Sequence, residues 1–438
     1  MAPPVCPRAA CVRRRRAEGG PVAVAGPRAD VIVVGAGPAG ATAARTLALG
    51  GARVVVLDRA TFPRNKPCGG GLTARALARF PHLQAALAPI GTHAIRRLYM
   101  EGPTGESVVI ETGQPTVIMV RRVEFDARLV LLAREAGADV VEGAEIVRAT
   151  DEGARVRLEA RDGRVFEAPM VVAADGVYSV VARRLGLNPG WPRGQVALDM
   201  MEETPSDRLR ATDDRTLWVS FAPGRAHGYG YIFPKNGYVN VGAGYVVSSY
   251  RSEIAGHPAN VHAQYVAALR ERGLLHGTSD PDRFTPYQIP IGGPLRETAR
   301  ARVLLSGDAG GFVNGFSAEG IYFAMVTGDL AGRAILTRPG GAARTYERLW
   351  RREVGAELRD SRFLSQFVFA DLARVDRFVR ALRAFPALAG LLVDYATGAD
   401  TYCGVRRRFV AQFPAVGAGL ALSYLGRRLG RGRGCATM

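Results

Sequence analysis

The hexapeptide Gly35-Ala36-Gly37-Pro38-Ala39-Gly40 sets the fold class, because of what flanks it. An apolar run from Asp30 to Val34 precedes it. Small residues from Ala41 to Leu49 continue it as a helix, and a second apolar run, Arg53 to Leu57, ends in Asp58 and Arg59. This order is a β-turn-α-β unit with its acid 18 positions beyond Gly40. Gly35 permits the tight turn, Gly37 lets a pyrophosphate approach the backbone, and Gly40 lets the helix pack on the sheet. Free N–H groups and the helix dipole receive the phosphates around Ala39, and Asp58 accepts from ribose hydroxyls. An aspartate here disfavours a 2′-phosphate, so the unit fits FAD or NAD better than NADP; the pattern does not choose between the first two.

At 438 residues, 47% hydrophobic and 22% charged, the chain has the composition of an ordinary globular protein of two or three domains, strung through one another or side by side. The net charge of +18 is almost all arginine, Lys66 and Lys235 being the two lysines among 58 basic residues. Such a bias follows from gene base composition. It is weak support for a nucleic-acid partner, which is not expected, and suits an anionic lipid surface equally well. Cys6, Cys11, Cys68, Cys403 and Cys435 are odd in number and scattered, so neither a disulfide scaffold nor a metal site is expected. Arg13 to Arg16 lead into a stretch too short and glycine-rich for a signal peptide, and residues 1–29 read as a disordered basic tail. No window reaches 18 uninterrupted apolar residues. The expected localisation is cytoplasmic, with peripheral contact on the inner face of the membrane; the oligomeric state is not legible.

Farther along, Ala94 to Val120 reads as strands, Glu124 to Ala136 as an amphipathic helix, and Asp139 to Val172 as strands joined by Asp162-Gly163-type turns. Arg193 to Tyr245 is again strand-rich. Arg302 to Leu305 is a buried strand followed by a small-residue helix to about Leu336, and Ala342 to about Leu429 is mostly helical. Its apolar stretches, Phe385 to Val393 and Pro414 to Leu425, are expected to be core helices.

Two further glycine-acid motifs close apolar strands: Asp175-Gly176 and Gly307-Asp308-Ala309-Gly310-Gly311. With the first fingerprint they resemble the three-part signature of the glutathione-reductase-type FAD fold, in the branch shared by aromatic hydroxylases, flavin halogenases and geranylgeranyl reductases. The resemblance implies FAD as cofactor, with Asp308 on its ribityl chain, Gly310 and Gly311 close to the isoalloxazine, and Asp175 shaping the cleft. Arg122, or Arg121 beside it, matches an arginine that faces FAD in this branch.

Two segments decide the branch. Phe62 to Leu72, with Lys66-Pro67-Cys68-Gly69-Gly70-Gly71 at its centre, is similar to the signature of the geranylgeranyl reductase family. Tyr229-Gly230-Tyr231-Ile232-Phe233-Pro234, then Gly242-Ala243-Gly244, resembles that family's substrate-site pattern of Tyr-x-Trp-x-Phe-Pro followed by Gly-x-Gly; Tyr231 stands where the pattern has tryptophan. Both rings offer an apolar face to an isoprenoid chain. The halogenase motif Trp-x-Trp-x-Ile-Pro fails at Tyr229, Tyr231 and Phe233.

The resemblance implies an α/β fold in which a Rossmann-like FAD-binding domain (30–95, 121–185 and 296–340) is interleaved with a strand-rich substrate domain (96–120 and 186–295), followed by a helical region (341–438). It implies an FAD-dependent oxidoreductase that reduces C=C bonds of a geranylgeranyl or other polyprenyl chain on a lipid, quinone or pigment precursor. A hydride from the reduced flavin and a proton from elsewhere are needed. Cys68 is the thiol expected near the flavin, as donor or in shaping the site, with a bound water as the other proton source. Lys66 neutralises a phosphate or the charge of the reduced flavin. One dinucleotide fingerprint leaves the electrons to come from NAD(P)H in the same cleft or from a protein such as ferredoxin. The alternatives are an FAD-dependent monooxygenase of an aromatic or polyketide-like substrate, and a lipid-binding protein without activity.

Overall fold

A computed structural model describes residues 29–431, so the basic tail, Ala29 apart, lies outside the described residues, as do Cys6, Cys11 and Cys435. Val31–Val34 and Val54–Leu57 are buried at every position, the pattern of strands covered on both faces. They occupy a six-stranded sheet in the order Ala299–Arg300, Val303–Leu305, Met170–Ala173, Val31–Val34, Val54–Leu57, Asp139–Val141. All neighbours are parallel except the short hairpin at the first edge. Because Met170–Ala173 lies between Val31–Val34 and Val303–Leu305, the three glycine-acid turns, far apart in sequence, leave the same edge of three adjacent strands. Ligands of open α/β sheets bind outside such carboxyl ends.

Helix Pro38–Leu49 packs closely on helix Ile321–Thr337, both rich in small residues. The second of these begins later than its composition suggests. Gly307–Gly310 forms a short 3-10 turn, and positive φ at Gly311 and Ala318 keeps the chain irregular until Gly320. That irregular stretch becomes cavity wall.

A seven-stranded sheet runs in the order Thr285–Ile289, Ala197–Pro205, Tyr238–Val246, Gly228–Lys235, Thr216–Phe221, Arg97–Glu101, Ser107–Glu111. It is antiparallel throughout except where Thr216–Phe221 meets Arg97–Glu101. Gly71–Thr73, Val117–Val120 and Thr92–Ile95 form a small antiparallel sheet beside it.

The C-terminal helices begin as core. In Ala342–Glu353, Tyr346 donates to the Leu305 carbonyl (2.6 Å) and the Trp350 indole to Thr298 Oγ1 (2.9 Å), fixing this helix to the parallel sheet. The later helices depart from expectation. Pro386–Thr397 buries only Ala389 and Leu391, and Phe385, Val416, Leu422 and Leu425 are exposed. Leu388, Ala389, Leu392 and Val393 do join a hydrophobic cluster, but both stretches also flank a cavity. No helix among the described residues is long and apolar enough to cross a membrane.

Candidate active site

A cavity of about 1960 Å³ extends from the carboxyl edge of the parallel sheet across one face of the seven-stranded sheet to the C-terminal helices. One drug-sized ligand occupies about 300–1,000 Å³, so there is room for two ligands at once. Gly35, Gly37 and Ala39, then Asp58 and Arg59, wall one end, and Asp175, Gly307 and Asp308 complete it. Gly35 has φ +94°, and a Cβ there would overlap the Ala174 carbonyl. At Gly37 the space for a Cβ is open save for Arg64 Nη2 at 3.6 Å. The buried Asp58 carboxylate accepts from Ala36 N (2.7 Å) and Ala60 N (2.8 Å), tying the first turn to the second strand.

Beside Gly37, Arg64 Nη1 is buried with no hydrogen-bond partner. Its Nη2 lies 3.0 Å from Asp126, a fully buried acid that also takes two 2.7 Å bonds from Arg122. Asp175 accepts from Ser179 Oγ (2.5 Å) and Val180 N (2.8 Å), starting helix Val180–Arg184; burial raises its pKa, and the Ser179 bond opposes this. Asp308 is half-buried and lines the cavity. An unsatisfied guanidinium N–H beside an open turn, with carboxylates farther along, suits an anionic dinucleotide bearing hydroxyls.

Some expected site residues lie elsewhere. Gly40 packs under the Gly35 carbonyl and does not line the cavity. Gly310 and Gly311 are turned away: the first abuts Phe312 and the Leu305 carbonyl, the second Trp191 and the Gly293 carbonyl. Val313 to Gly320 forms that wall instead. Of the two adjacent arginines, Arg122 lines the cavity, whereas Arg121 pairs with Glu203 (3.0 Å) and lies over Tyr238.

Lys66 to Gly71 forms one side of the chamber's middle. Cys68 Sγ accepts from Gly70 N (3.4 Å) and lies within hydrogen-bonding reach of the Arg122 guanidinium. The Lys66 ammonium sits 4.1 Å over the Tyr287 ring. Burial lowers its pKa, Arg122 adds to this, and Asp308, Cys68 and Asp126 oppose it. Lys235, only 4% exposed, pairs with Glu203 and reaches the Cys68 carbonyl (3.5 Å), propping the segment from below.

The opposite side is a row of rings. Tyr229, Tyr231 and Phe233, two apart on one strand, face the cavity with Val219 and Phe221 from the next strand and Leu98 and Met100 from the one beyond. Tyr231 and Phe233 stack at 4.3 Å. Tyr229 donates to the Ser317 carbonyl (2.8 Å). Tyr231 donates to Asp199, its oxygen 3.2 Å from both carboxylate oxygens. Gly244 lines the wall, but Gly242 lies beneath the Tyr231 ring, which fills the place of a Cβ, and neither it nor Pro234 reaches the cavity.

Sequence reasoning missed Arg64, Asp199 and the far wall. Asp199 had a signal, an acid inside the apolar run Val196 to Met201. Burial pushes it up to about 6, against the Tyr231 bond and Lys66. The far wall comprises Phe363, Phe367, Phe369, Leu388, Leu392 and Phe409. His227, stacked on Phe369 at 4.5 Å, is depressed by burial to about 4 and is neutral at physiological pH.

One buried cluster holds this wall to the rest. Arg75 donates to Glu357 (3.0 Å) and Glu319 (2.5 Å), its guanidinium between the rings of Tyr322 (3.9 Å) and Tyr395 (4.1 Å); Tyr395 in turn donates to Glu357.

The chain matches the model of the FAD binding domain family over residues 28–329. It is 35% identical over 344 residues to a menaquinone reductase of Mycobacterium tuberculosis, covering 74% of this chain and 78% of that protein. It is 30% identical over 351 residues to a chloroplastic geranylgeranyl diphosphate reductase of Oryza sativa, covering 76% and 72%. Among solved structures, a geranylgeranyl bacteriochlorophyll reductase-like protein from Thermoplasma acidophilum superposes with a TM-score of 0.73 at 19% identity, over 90% of this chain and 98% of that one, a likeness of fold.

Proposed function

This chain belongs to the FAD-binding-domain family, in its geranylgeranyl reductase branch, and from that we propose that it is an FAD-dependent oxidoreductase that saturates C=C bonds of a polyprenyl chain carried by a lipid, quinone or pigment precursor. The observation that carries the reading is the aromatic row of Tyr229, Tyr231 and Phe233, which extends an apolar trough from the dinucleotide end toward the C-terminal helices. Bound FAD supplies a hydride. Segments 30–95, 121–185 and 296–340 hold the cofactor in this reading, and 96–120 and 186–295 the substrate. Gly37 and Arg64 receive the phosphates, Asp58 a ribose, and Asp308 the ribityl chain. Arg122 and Lys66 offset negative charge at the flavin end, and the rings exclude water from the alkene.

Anaerobic incubation of the reduced, flavin-loaded protein with geranylgeranyl diphosphate, a geranylgeranylated lipid and a menaquinone should add two hydrogens per saturated bond, read by mass spectrometry. No mass gain on any chain refutes the reading. The reductant is NAD(P)H or a ferredoxin-type protein, identified by which of them bleaches the flavin absorbance without oxygen.

Cys68 is assigned to shaping the site, since its sulfur is held at the base of the glycine-rich turn, against Gly70 N and the Arg122 guanidinium. Cys68→Ser should therefore keep its flavin and lose far less than the roughly 10²–10⁴-fold that removal of a general acid costs. A loss of that size with flavin intact returns the donor role to the thiol.

A lipid surface is the proposed source of the substrate. Val410, Val416 and Leu425 both line the cavity and are exposed, so its apolar interior continues onto the outside. Leu422, 70% exposed, extends this rim, and the net charge of +18 suits an anionic, cytoplasm-facing leaflet. Leu422→Glu should weaken sedimentation with phosphatidylglycerol vesicles about tenfold or more, since burying a leucine is worth about 1.5–3 kcal/mol. Unchanged sedimentation argues against this rim as the contact.

A further inference from the structure

Saturating an alkene places a hydride on one carbon and a proton on the other. We propose that the Tyr231 phenol delivers that proton and that Asp199, behind it, replaces it; the proposal rests on the prenyl-reductase reading.

Tyr231 sits in the middle of the aromatic row and lines the cavity. Gly242 and Gly244 occupy the strand between it and Ala197–Pro205, so the phenol spans a strip without side chains to meet the Asp199 carboxyl at 3.2 Å. Both groups are at most 5% exposed, yet both face the chamber. Of its neighbours in the wall, Tyr229 donates to the Ser317 carbonyl, and Glu319 and Glu357 are ion-paired to Arg75.

The pair has two arrangements. With Asp199 ionised, the phenol proton points at the carboxylate and away from the chamber. With Asp199 protonated, its O–H donates to the phenol oxygen, and the Tyr231 O–H is free to turn toward the alkene. In the step, the Tyr231 O–H bond breaks as the new C–H bond forms, and the Asp199 proton moves to the Tyr231 oxygen. Asp199 remains as carboxylate and takes a proton from water before the next turnover. The hydride, with both electrons, comes from the reduced flavin, itself reduced by NAD(P)H or ferredoxin.

Burial pushes Asp199 up to about 6. The titratable groups facing it are Tyr231 and Tyr229 from Gly228–Lys235, Tyr287 opposite it on Thr285–Ile289, and Lys66 from the glycine-rich segment, whose positive charge favours the carboxylate. An apolar chain in the trough removes water and raises Asp199 further. Tyr231 replaces the tryptophan of the pattern it resembles, and an indole has no comparably acidic proton, so a protein with tryptophan at this position lacks this source.

The test uses the flavin-loaded, prereduced protein with a geranylgeranylated lipid. Tyr231→Phe should bind the chain normally but reduce it about 10²–10⁴-fold more slowly. The wild-type rate should fall as pH rises through the Asp199 titration, and that limb should vanish in Asp199→Asn. Infrared titration without turnover gives a second readout: a protonated-carboxyl band lost in Asp199→Asn, with a midpoint near 6 that moves upward when phytanol, a saturated prenyl alcohol, fills the trough. Wild-type turnover in Tyr231→Phe, or no carboxyl band that depends on Asp199, overturns the proposal while leaving the prenyl-reductase reading intact. A wild type that reduces no prenyl chain removes both.

Discussion

Arg75→Ala is expected to lower unfolding stability by about 3–5 kcal/mol, the cost of leaving a buried charge without its partner. The side chain is 8% exposed, and both its acids, Glu319 and Glu357, are also largely sequestered. Removing the guanidinium leaves two largely buried carboxylates close to each other without the cation between them. The loss should appear as a lower urea midpoint with an unchanged slope. A triple variant, Arg75→Met with Glu319→Gln and Glu357→Gln, should recover much of it, because replacing a whole buried ionic cluster costs less than breaking it. A change in Arg75→Ala below about 1 kcal/mol, the value of an exposed pair, would mean that water reaches the cluster.

Gly37→Val should separate cofactor binding from folding. Gly37 has φ −70°, which any residue adopts, and its Cβ position meets only the end of Arg64. The fold should tolerate valine, so the melting temperature of the flavin-free protein should not change. The added methyls instead enter the space that the phosphates need. Overpacking of about 1–3 kcal/mol weakens flavin binding about fivefold to more than a hundredfold. Gly35→Ala is the contrast: its φ of +94° and the nearby Ala174 carbonyl make the substitution damaging to the fold itself. Flavin bound at full stoichiometry in Gly37→Val would move the phosphate site elsewhere.

The parallel sheet was legible because its signals are local. A buried apolar run, a glycine turn and a terminal acid need no knowledge of distant chain. The aromatic row was legible for a similar reason, since a period of two places Tyr229, Tyr231 and Phe233 on one face. That Gly310 and Gly311 do not line the cavity was not legible, because the sequence suggests a helix straight on from Gly307-Asp308. Positive φ at Gly311 and Ala318 instead inserts a loop whose course depends on Arg75, more than two hundred residues upstream. Arg64 and Asp199 were missed because their meaning lies in pairing across strands and loops. The later C-terminal helices read as core because their composition is apolar; that composition serves a chamber wall as well as it serves a packed interior.

The order of these parts along the chain has a consequence for biogenesis. The elements that would grip the dinucleotide, from Val31–Val34 to Ile321–Thr337, are complete before the helices of the far wall leave the ribosome. Those helices extend to Arg431, about ninety residues later, or about 5–20 s at ordinary elongation rates. The nascent chain therefore passes through an interval in which its nucleotide cleft is formed but still uncovered. Flavin entering then meets an open groove, whereas flavin offered to the finished protein must enter past a far wall that Arg75 anchors.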